Sequence, residues 1–121
     1  MVKSKRWIAL KILGRILRLK IWIRYFINWQ EKLGWTEDDL QDLRFVGYSY
    51  IKQGHFETAE QFFAALVVLN PESIYDLQTL GAIYLELGDN VKALKYIDQA
   101  LILQPDHEET LLNRTKALFL M

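Results

Sequence analysis

The sequence predicts an all-α protein in which antiparallel helix hairpins stack side by side. Residues 81–105 repeat the pattern of residues 47–71 at a spacing of 34, a period typical of stacked helical repeats. Apolar residues inside each copy recur at the three- and four-residue intervals of an amphipathic helix. Within a domain of residues 36–121 we therefore expect two full repeats and a terminal helix, at about 40–73, 74–107 and 108–121.

A basic segment, residues 1–35, precedes this domain. It holds nine Lys and Arg residues against one Glu, a net charge of +8, whereas residues 36–121 hold six against fourteen Asp and Glu, or −8. No proline interrupts it, so we expect one long basic helix from about Lys5 to Leu33, with Gly34 ending it. All four tryptophans of the chain lie here: Trp7, Trp22, Trp29 and Trp35.

Three interpretations of the basic segment are open. The helix packs on the repeats as a cap, lies on a membrane surface, or pairs with another copy, in a homo-oligomer, or with another protein. A bilayer span is not expected, because the longest uncharged run covers only residues 25–30. Nucleic-acid binding is not expected either, since the repeats are acidic and no groove-reading motif is present. The residues expected to contact a membrane or partner are Trp7, Lys11, Arg15, Arg18, Trp22 and Trp29.

The first repeat shows where its helices begin and end. Thr36, followed three positions later by Asp39, predicts a helix start through a weak variant of the capping box. Gly54 predicts the end of that helix, because glycine readily takes a positive φ. A second helix must end near Pro71, since the residue before a proline is kept out of the α region. The apolar side of the first helix carries Leu43, Val46, Gly47 and Tyr50.

The second copy keeps the small and helix-breaking residues of the first. Gly47 and Gly81 stand inside helices, where glycine costs about 1 kcal/mol, so we expect them to allow a close approach between helices. The terminal helix has Thr115 at the corresponding position and Leu111, Leu112 and Leu118 at apolar positions. The matching pairs are Gly47 and Gly81, Tyr50 and Tyr84, Gly54 and Gly88, Ala59 and Ala93, and Pro71 and Pro105.

This constellation of Gly, Tyr, Gly, Ala and Pro at a period of 34 resembles the tetratricopeptide repeat family. The stretch "GYSYIKQGHFETAEQFF" is also similar to the first repeat of the small tetratricopeptide chaperones of bacterial type III secretion. The family resemblance implies a curved stack whose inner wall is formed by the first helix of each hairpin. The narrower one implies an apolar groove that holds a segment of a secreted subunit until export.

Helical geometry then gives the residues expected to bind a peptide on this inner wall. Some family members grip a carboxylate with paired Lys and Asn side chains, but no such pair is seen here. In a competing interpretation, Phe45, Tyr48 and Tyr75 are buried core residues. The candidate residues are Gln41, Arg44, Phe45, Tyr48, Lys52, Tyr75, Gln78, Thr79, Ala82, Glu86, Leu112, Asn113 and Lys116.

Nothing in the sequence indicates catalysis. The chain has no cysteine, and its two histidines, His55 and His107, fall in corresponding turns. No glycine-rich phosphate loop is present, so we expect neither a cofactor nor a metal site. The predicted function is non-catalytic protein binding in the cytoplasm, as a chaperone or adaptor for a peptide segment of a partner. The alternative is a scaffold attached to a membrane surface through the basic helix.

Overall fold

The computed structural model describes residues 29–121, and these residues form six helices. α2 packs against α3 and α4 against α5, so each pair makes a hairpin, while α6 packs on α5 and α4. The expected stack of helix hairpins is confirmed. The helices are α1 Trp29–Lys32, α2 Glu37–Lys52, α3 Phe56–Leu69, α4 Ile74–Glu86, α5 Asn90–Leu103 and α6 Glu108–Leu120.

Most of the predicted basic helix lies outside the described residues. Its described part, α1, ends at Lys32, and Gly34 has a φ of 67°, as a glycine at the end of a helix requires. Within residues 29–121, no helix combines the length and apolarity that crossing a bilayer requires. The predicted contact residues Trp7, Lys11, Arg15, Arg18 and Trp22 also lie outside the described part of the chain, as does the side chain of Trp29.

The start of α2 confirms the predicted cap. The Thr36 hydroxyl accepts a hydrogen bond from the Asp39 backbone N–H at 3.2 Å, and Asp39 Oδ2 accepts one from the Thr36 N–H at 2.9 Å. These two bonds satisfy N–H groups that a helix start leaves without a partner. The hairpin turns place Gly54 and Gly88 at φ of 79° and 81°, so both repeats turn at the glycine that the sequence indicates.

The two helices of each hairpin approach closely at a glycine. A β-carbon on Gly47 would lie 2.8 Å from Cε2 of Phe63, and one on Gly81 would lie 2.8 Å from Cγ1 of Ile97. Both distances are shorter than carbon atoms tolerate, so a β-carbon at either position would displace the Phe63 ring or the Ile97 side chain of the facing helix. The expected close approach is confirmed, although in the first hairpin the nearest atoms belong to Phe63 rather than Ala59.

A stacked aromatic pair packs against the core in each hairpin. Tyr50 stacks on Phe62 at a centroid distance of 5.7 Å, and Tyr84 stacks on Tyr96 at 5.6 Å. The Tyr84 hydroxyl also donates a 2.6 Å hydrogen bond to Glu60 of the preceding hairpin. Burial, together with this bond, raises the pKa of Tyr84. Tyr84 therefore packs within its own hairpin through its ring and is linked to the preceding hairpin through its hydroxyl group.

Burial departs from the repeat pattern at the two ends of the described stack. Val46, expected in the core, is 39% exposed, whereas its counterpart Leu80 is fully buried. Leu80 lies in α4, which is flanked by α3 and α5, while α2 begins the stack of hairpins. At the other end Leu111 and Leu118 are exposed, because no described helix packs on the far side of α6. The Thr115 side chain is exposed for the same reason.

We expect Gly81→Val to lower the free energy of unfolding by about 2 to 3 kcal/mol, because the added carbons overlap with Ile97. Thr115→Val is the matched control, since it places the same side chain at the same repeat position where the site is exposed. This control should change stability by less than about 0.5 kcal/mol. Urea unfolding followed by circular dichroism measures both. Equal costs for the two variants would contradict the close approach.

Candidate functional site

An open cleft lies where α2 meets the loop between α3 and α4 and the first turn of α4. Its volume is about 590 Å³. Five of its residues belong to α2, and two come from the loop between α3 and α4. The lining residues are Glu37, Gln41, Arg44, Phe45, Tyr48, Asn70, Ser73 and Tyr75.

Three aromatic side chains form the apolar part of the cleft. Phe45 is 76% exposed, Tyr48 46% and Tyr75 48%, so the competing interpretation of these residues as buried core is wrong. Tyr75 rests on the core, with its ring centroid 6.3 Å from that of Phe63, and partial burial raises the pKa of its hydroxyl. The three aromatic side chains of the cleft are thus exposed, and Tyr75 packs on the core through Phe63.

A buried ion pair lies beside these rings. Arg44 Nε is 2.8 Å from Asp76 Oδ1, and Arg44 Nη2 is 2.8 Å from Oδ2, so the guanidinium and carboxylate face each other with two parallel hydrogen bonds. The Asp76 side chain is fully buried, and that of Arg44 is 11% exposed. The hydrogen bonds to Asp76 raise the pKa of Arg44. Arg44 is also 3.1 Å from Glu37, whose side chain is 62% exposed.

The ion pair joins the two hairpins. Arg44 lies in the middle of α2, whereas Asp76 lies in the first turn of α4, where the Ser73 hydroxyl caps the Asp76 N–H at 3.3 Å. Asp42 occupies the same repeat position in the first hairpin but is exposed, because no hairpin of the described chain precedes it. At this repeat position the Asp76 carboxylate is buried against an arginine of the preceding hairpin, whereas the Asp42 side chain is exposed.

The structure brings five of the predicted peptide-binding residues together in the cleft: Gln41, Arg44, Phe45, Tyr48 and Tyr75. Lys52 lies near it, with its ammonium group 5.2 Å from the ring centroid of Tyr48. The other predicted residues lie on α4 and α6 and do not line the cleft: Gln78, Thr79, Ala82, Glu86, Leu112, Asn113 and Lys116.

Sequence reasoning missed four residues of the site. Glu37, Asn70 and Ser73 line the cleft, and Asp76 neutralises Arg44 beneath it. Asp76 lies in the first turn of α4, where an acidic residue is common because it interacts favourably with the helix dipole, so its type alone does not indicate a buried ion pair. Its position one turn ahead of the core residue Leu80 was the available signal, because that spacing places it on the buried side of α4.

The described residues contain no grouping of His, Asp and Glu suited to a metal ion. His107 instead caps α6, since its Nδ1 accepts a hydrogen bond from the Thr110 N–H at 3.3 Å. His55 is exposed before α3 and makes no side-chain cap. Neither histidine lines the cleft.

Stacked helix hairpins with an open face along their first helices define a helical repeat protein of the kind that presents a surface to other molecules. The family model of the tetratricopeptide repeat matches residues 75–107 of this chain, which cover the second hairpin. Together with the all-helical stack and the same pattern 34 residues earlier, this match supports a tetratricopeptide repeat protein. Repeats of this family generally present a surface for protein–protein interaction. A search of curated proteins finds none that matches it.

We expect Asp76→Ala to lower the free energy of unfolding by about 3 kcal/mol, because it leaves the Arg44 charge largely buried without its partner. The double variant Arg44→Met with Asp76→Leu should recover stability to within about 1 kcal/mol, since no buried charge remains.

The control for this prediction is Asp98→Ala, which breaks an exposed ion pair of similar length, 2.9 Å, with Arg114. It should cost less than about 1 kcal/mol. Chemical denaturation of all variants measures the differences. If Asp76→Ala and Asp98→Ala had the same cost, the buried pair would not be the joint between the hairpins.

Proposed function

We propose that the cleft binds an extended peptide segment of a partner protein and that the chain is a non-catalytic binding module. The observation that carries this proposal is the convergence of three exposed aromatic side chains on one cleft in a repeat fold of the interaction type. Large aromatic anchors contribute most of the binding energy at protein interfaces. Exposed aromatic surface on a folded domain also costs solvation free energy unless a partner covers it.

The charges of the cleft indicate which segment fits. Asp76 already holds the guanidinium of Arg44 with two bonds, so Arg44 attracts a carboxylate of a ligand only weakly. The Glu37 carboxylate remains 62% exposed at the rim, and residues 29–121 contain seven Lys and Arg against fifteen Asp and Glu, a net charge of −8. A segment with apolar or aromatic side chains next to Lys or Arg therefore complements the cleft, whereas an acidic tail does not.

The biological role that agrees with this site is that of a chaperone or adaptor in the cytoplasm. Such a protein covers an apolar segment of its partner until the partner is assembled or exported. The resemblance of residues 47–63 to the small tetratricopeptide chaperones suggests a type III secretion subunit as the partner. In this proposal the cleft shields the segment from aggregation, and no chemical step takes place.

A second candidate function is that of a scaffold at a membrane surface. The observation that favours it is the +8 charge of residues 1–35, together with their four tryptophans, because basic and aromatic residues favour the interface of anionic membranes. Co-sedimentation of the full chain with vesicles of anionic lipid tests it, and vesicles of zwitterionic lipid alone are the control. Binding to neither kind of vesicle would remove this candidate.

We expect a displayed library of random peptides, selected against the full chain, to yield segments that pair aromatic or aliphatic residues with Lys or Arg. Tyr48→Ala and Tyr75→Ala should each weaken the binding of a selected peptide about 10- to 100-fold, because each removes an aromatic anchor. Fluorescence anisotropy with a labelled peptide measures the affinity.

The matched control is Phe119→Ala on α6, which removes an aromatic side chain that is 87% exposed but lies outside the cleft. It should leave peptide affinity unchanged. Replacing Lys and Arg of the peptide by Glu should weaken binding more than replacement by Gln, since Glu37 and the domain charge oppose acidic ligands. An equal loss of peptide affinity in the cleft variants and in the α6 control would contradict the proposed site.

A further inference from the structure

An apolar stripe lies on the side of α6 opposite to the buried Ala117. Leu111 is 41% exposed, whereas Leu77, at the same repeat position of α4, is 1% exposed. Leu118 is likewise 49% exposed, and its counterpart Tyr84 is 7% exposed. Positions that are covered in the second hairpin are therefore bare on α6. The α6 stripe, as we define it, consists of Leu111, Leu112, Leu118 and Phe119.

Two contacts with α5 hold α6 in place, so the stripe is a preformed surface. Arg114 Nε donates a 2.9 Å hydrogen bond to Asp98 Oδ1 near the middle of α6. At the other end of α5, the side-chain amide of Asn90 donates a 3.3 Å bond to the carbonyl oxygen of Leu120. A surface that is ordered beforehand loses little conformational entropy when it binds.

The stripe is large enough for a protein contact. Its four side chains together expose roughly 500 Å² of apolar surface, a patch size that marks interaction sites on folded domains. Two such surfaces in contact would bury roughly 1,000 Å², which is the lower end of the range for specific interfaces. An association through the stripe is therefore expected to be weak and dependent on concentration.

Thr115, at the centre of the stripe, shows what does not cover it. The same repeat position holds Gly81 in α4, where a β-carbon would lie 2.8 Å from Cγ1 of Ile97 in α5. The β-branched Thr115 therefore does not allow the close approach seen inside each hairpin, and a covering helix must lie farther away. Anionic lipid is poorly suited as well, because residues 29–121 carry a net charge of −8.

The charges beside the stripe complement a second copy of the same helix. Glu109 and Lys116 are exposed on one flank of the stripe, and neither forms an ion pair within residues 29–121. Leu111 and Leu118 lie on the other flank. Both pairs span seven residues, or about two helical turns. When two copies of α6 run antiparallel, Glu109 of each copy faces Lys116 of the other, and Leu111 of each faces Leu118.

We propose that a second copy of this chain covers the α6 stripe, with the two α6 helices antiparallel across a two-fold axis near residues 113–115. Each copy then contributes the same surface, as a closed dimer requires. Two ion pairs on one flank and two leucine contacts on the other determine the orientation. A parallel arrangement would instead set the charged flank of one copy against the leucine flank of the other.

This dimer leaves the aromatic cleft free. The cleft lies on α2, at the opposite end of the described stack from α6, so each dimer presents two open clefts. The inference does not rest on peptide binding, because it depends on the stripe and its charges alone. A partner that carries two copies of a binding segment would gain affinity from the pairing.

Sedimentation velocity of the full chain, from about 1 to 300 µM, tests the dimer. We expect a dissociation constant of about 1 to 100 µM, because the interface is small. Phe119→Ala should weaken the dimer at least about 10-fold, since it removes an 87% exposed ring that the interface covers. The matched control is Phe45→Ala, which removes a 76% exposed ring in the cleft and should leave the dimer unchanged.

Exchange of the charges tests the orientation. Glu109→Lys and Lys116→Glu should each weaken self-association at least about 10-fold, because each variant sets like charges opposite each other at two contacts. An equimolar mixture of the two variants should associate within about 3-fold as tightly as the unchanged protein, since opposite charges then meet at both contacts. Both positions are exposed, so the circular dichroism spectrum should not change.

Three results would overturn the inference. A chain that stays monomeric over the whole concentration range would mean that the stripe is not a dimer surface. A dimer that survives Phe119→Ala and both charge variants would be held by another surface. Failure of the mixed variants to associate would contradict the antiparallel arrangement.

Discussion

The closest approach between the helices of each hairpin lies at Gly47 and Gly81. A glycine inside a helix costs about 1 kcal/mol, and packing of Phe63 and Ile97 directly against the bare backbone offsets that cost. The resulting short separation determines how α2 and α3 sit together, and therefore where α4 begins. The position of Asp76 relative to Arg44, and with it the shape of the cleft, depends on this contact.

The ion pair between Arg44 and Asp76 fixes the second hairpin against the first and thereby sets the shape of the cleft. Its two 2.8 Å bonds tie α2 to the first turn of α4, so that Tyr75 is held opposite Tyr48 across the cleft. Burying a carboxylate and a guanidinium requires this paired geometry, because neither charge finds enough water inside the fold. The same pairing removes positive charge from the cleft. The interaction that ties the two hairpins together therefore also lowers the positive charge of the cleft.

Comparison of the sequence with the structure shows what repetition can and cannot predict. The turns at Gly54 and Gly88 and the cap at Thr36 follow from local backbone chemistry, so a repeat pattern predicts them directly. The exposure of Val46 and the ion pair of Asp76 depend on which helix packs against each residue. The sequence of a single repeat does not show which helices lie on either side of it. Phe45, Tyr48 and Tyr75 were placed correctly on one face, but only the structure separates the cleft from the rest of that face.

Equivalent positions in a repeat protein differ because the array has ends. Asp42 and Asp76 occupy the same place in successive hairpins, yet Asp76 is fully buried against Arg44 of α2 whereas Asp42 is exposed. Val68 and Ile102 differ in the opposite sense, since Val68 in the first hairpin is buried whereas Ile102 in the second is 79% exposed. The charges of the chain follow the same division, +8 in residues 1–28 and −8 in the repeats. Position in the array therefore decides which of two equivalent residues is buried, and the cleft forms at the one junction of the described residues where Arg44 of α2 meets Asp76 of α4 beside exposed aromatic side chains.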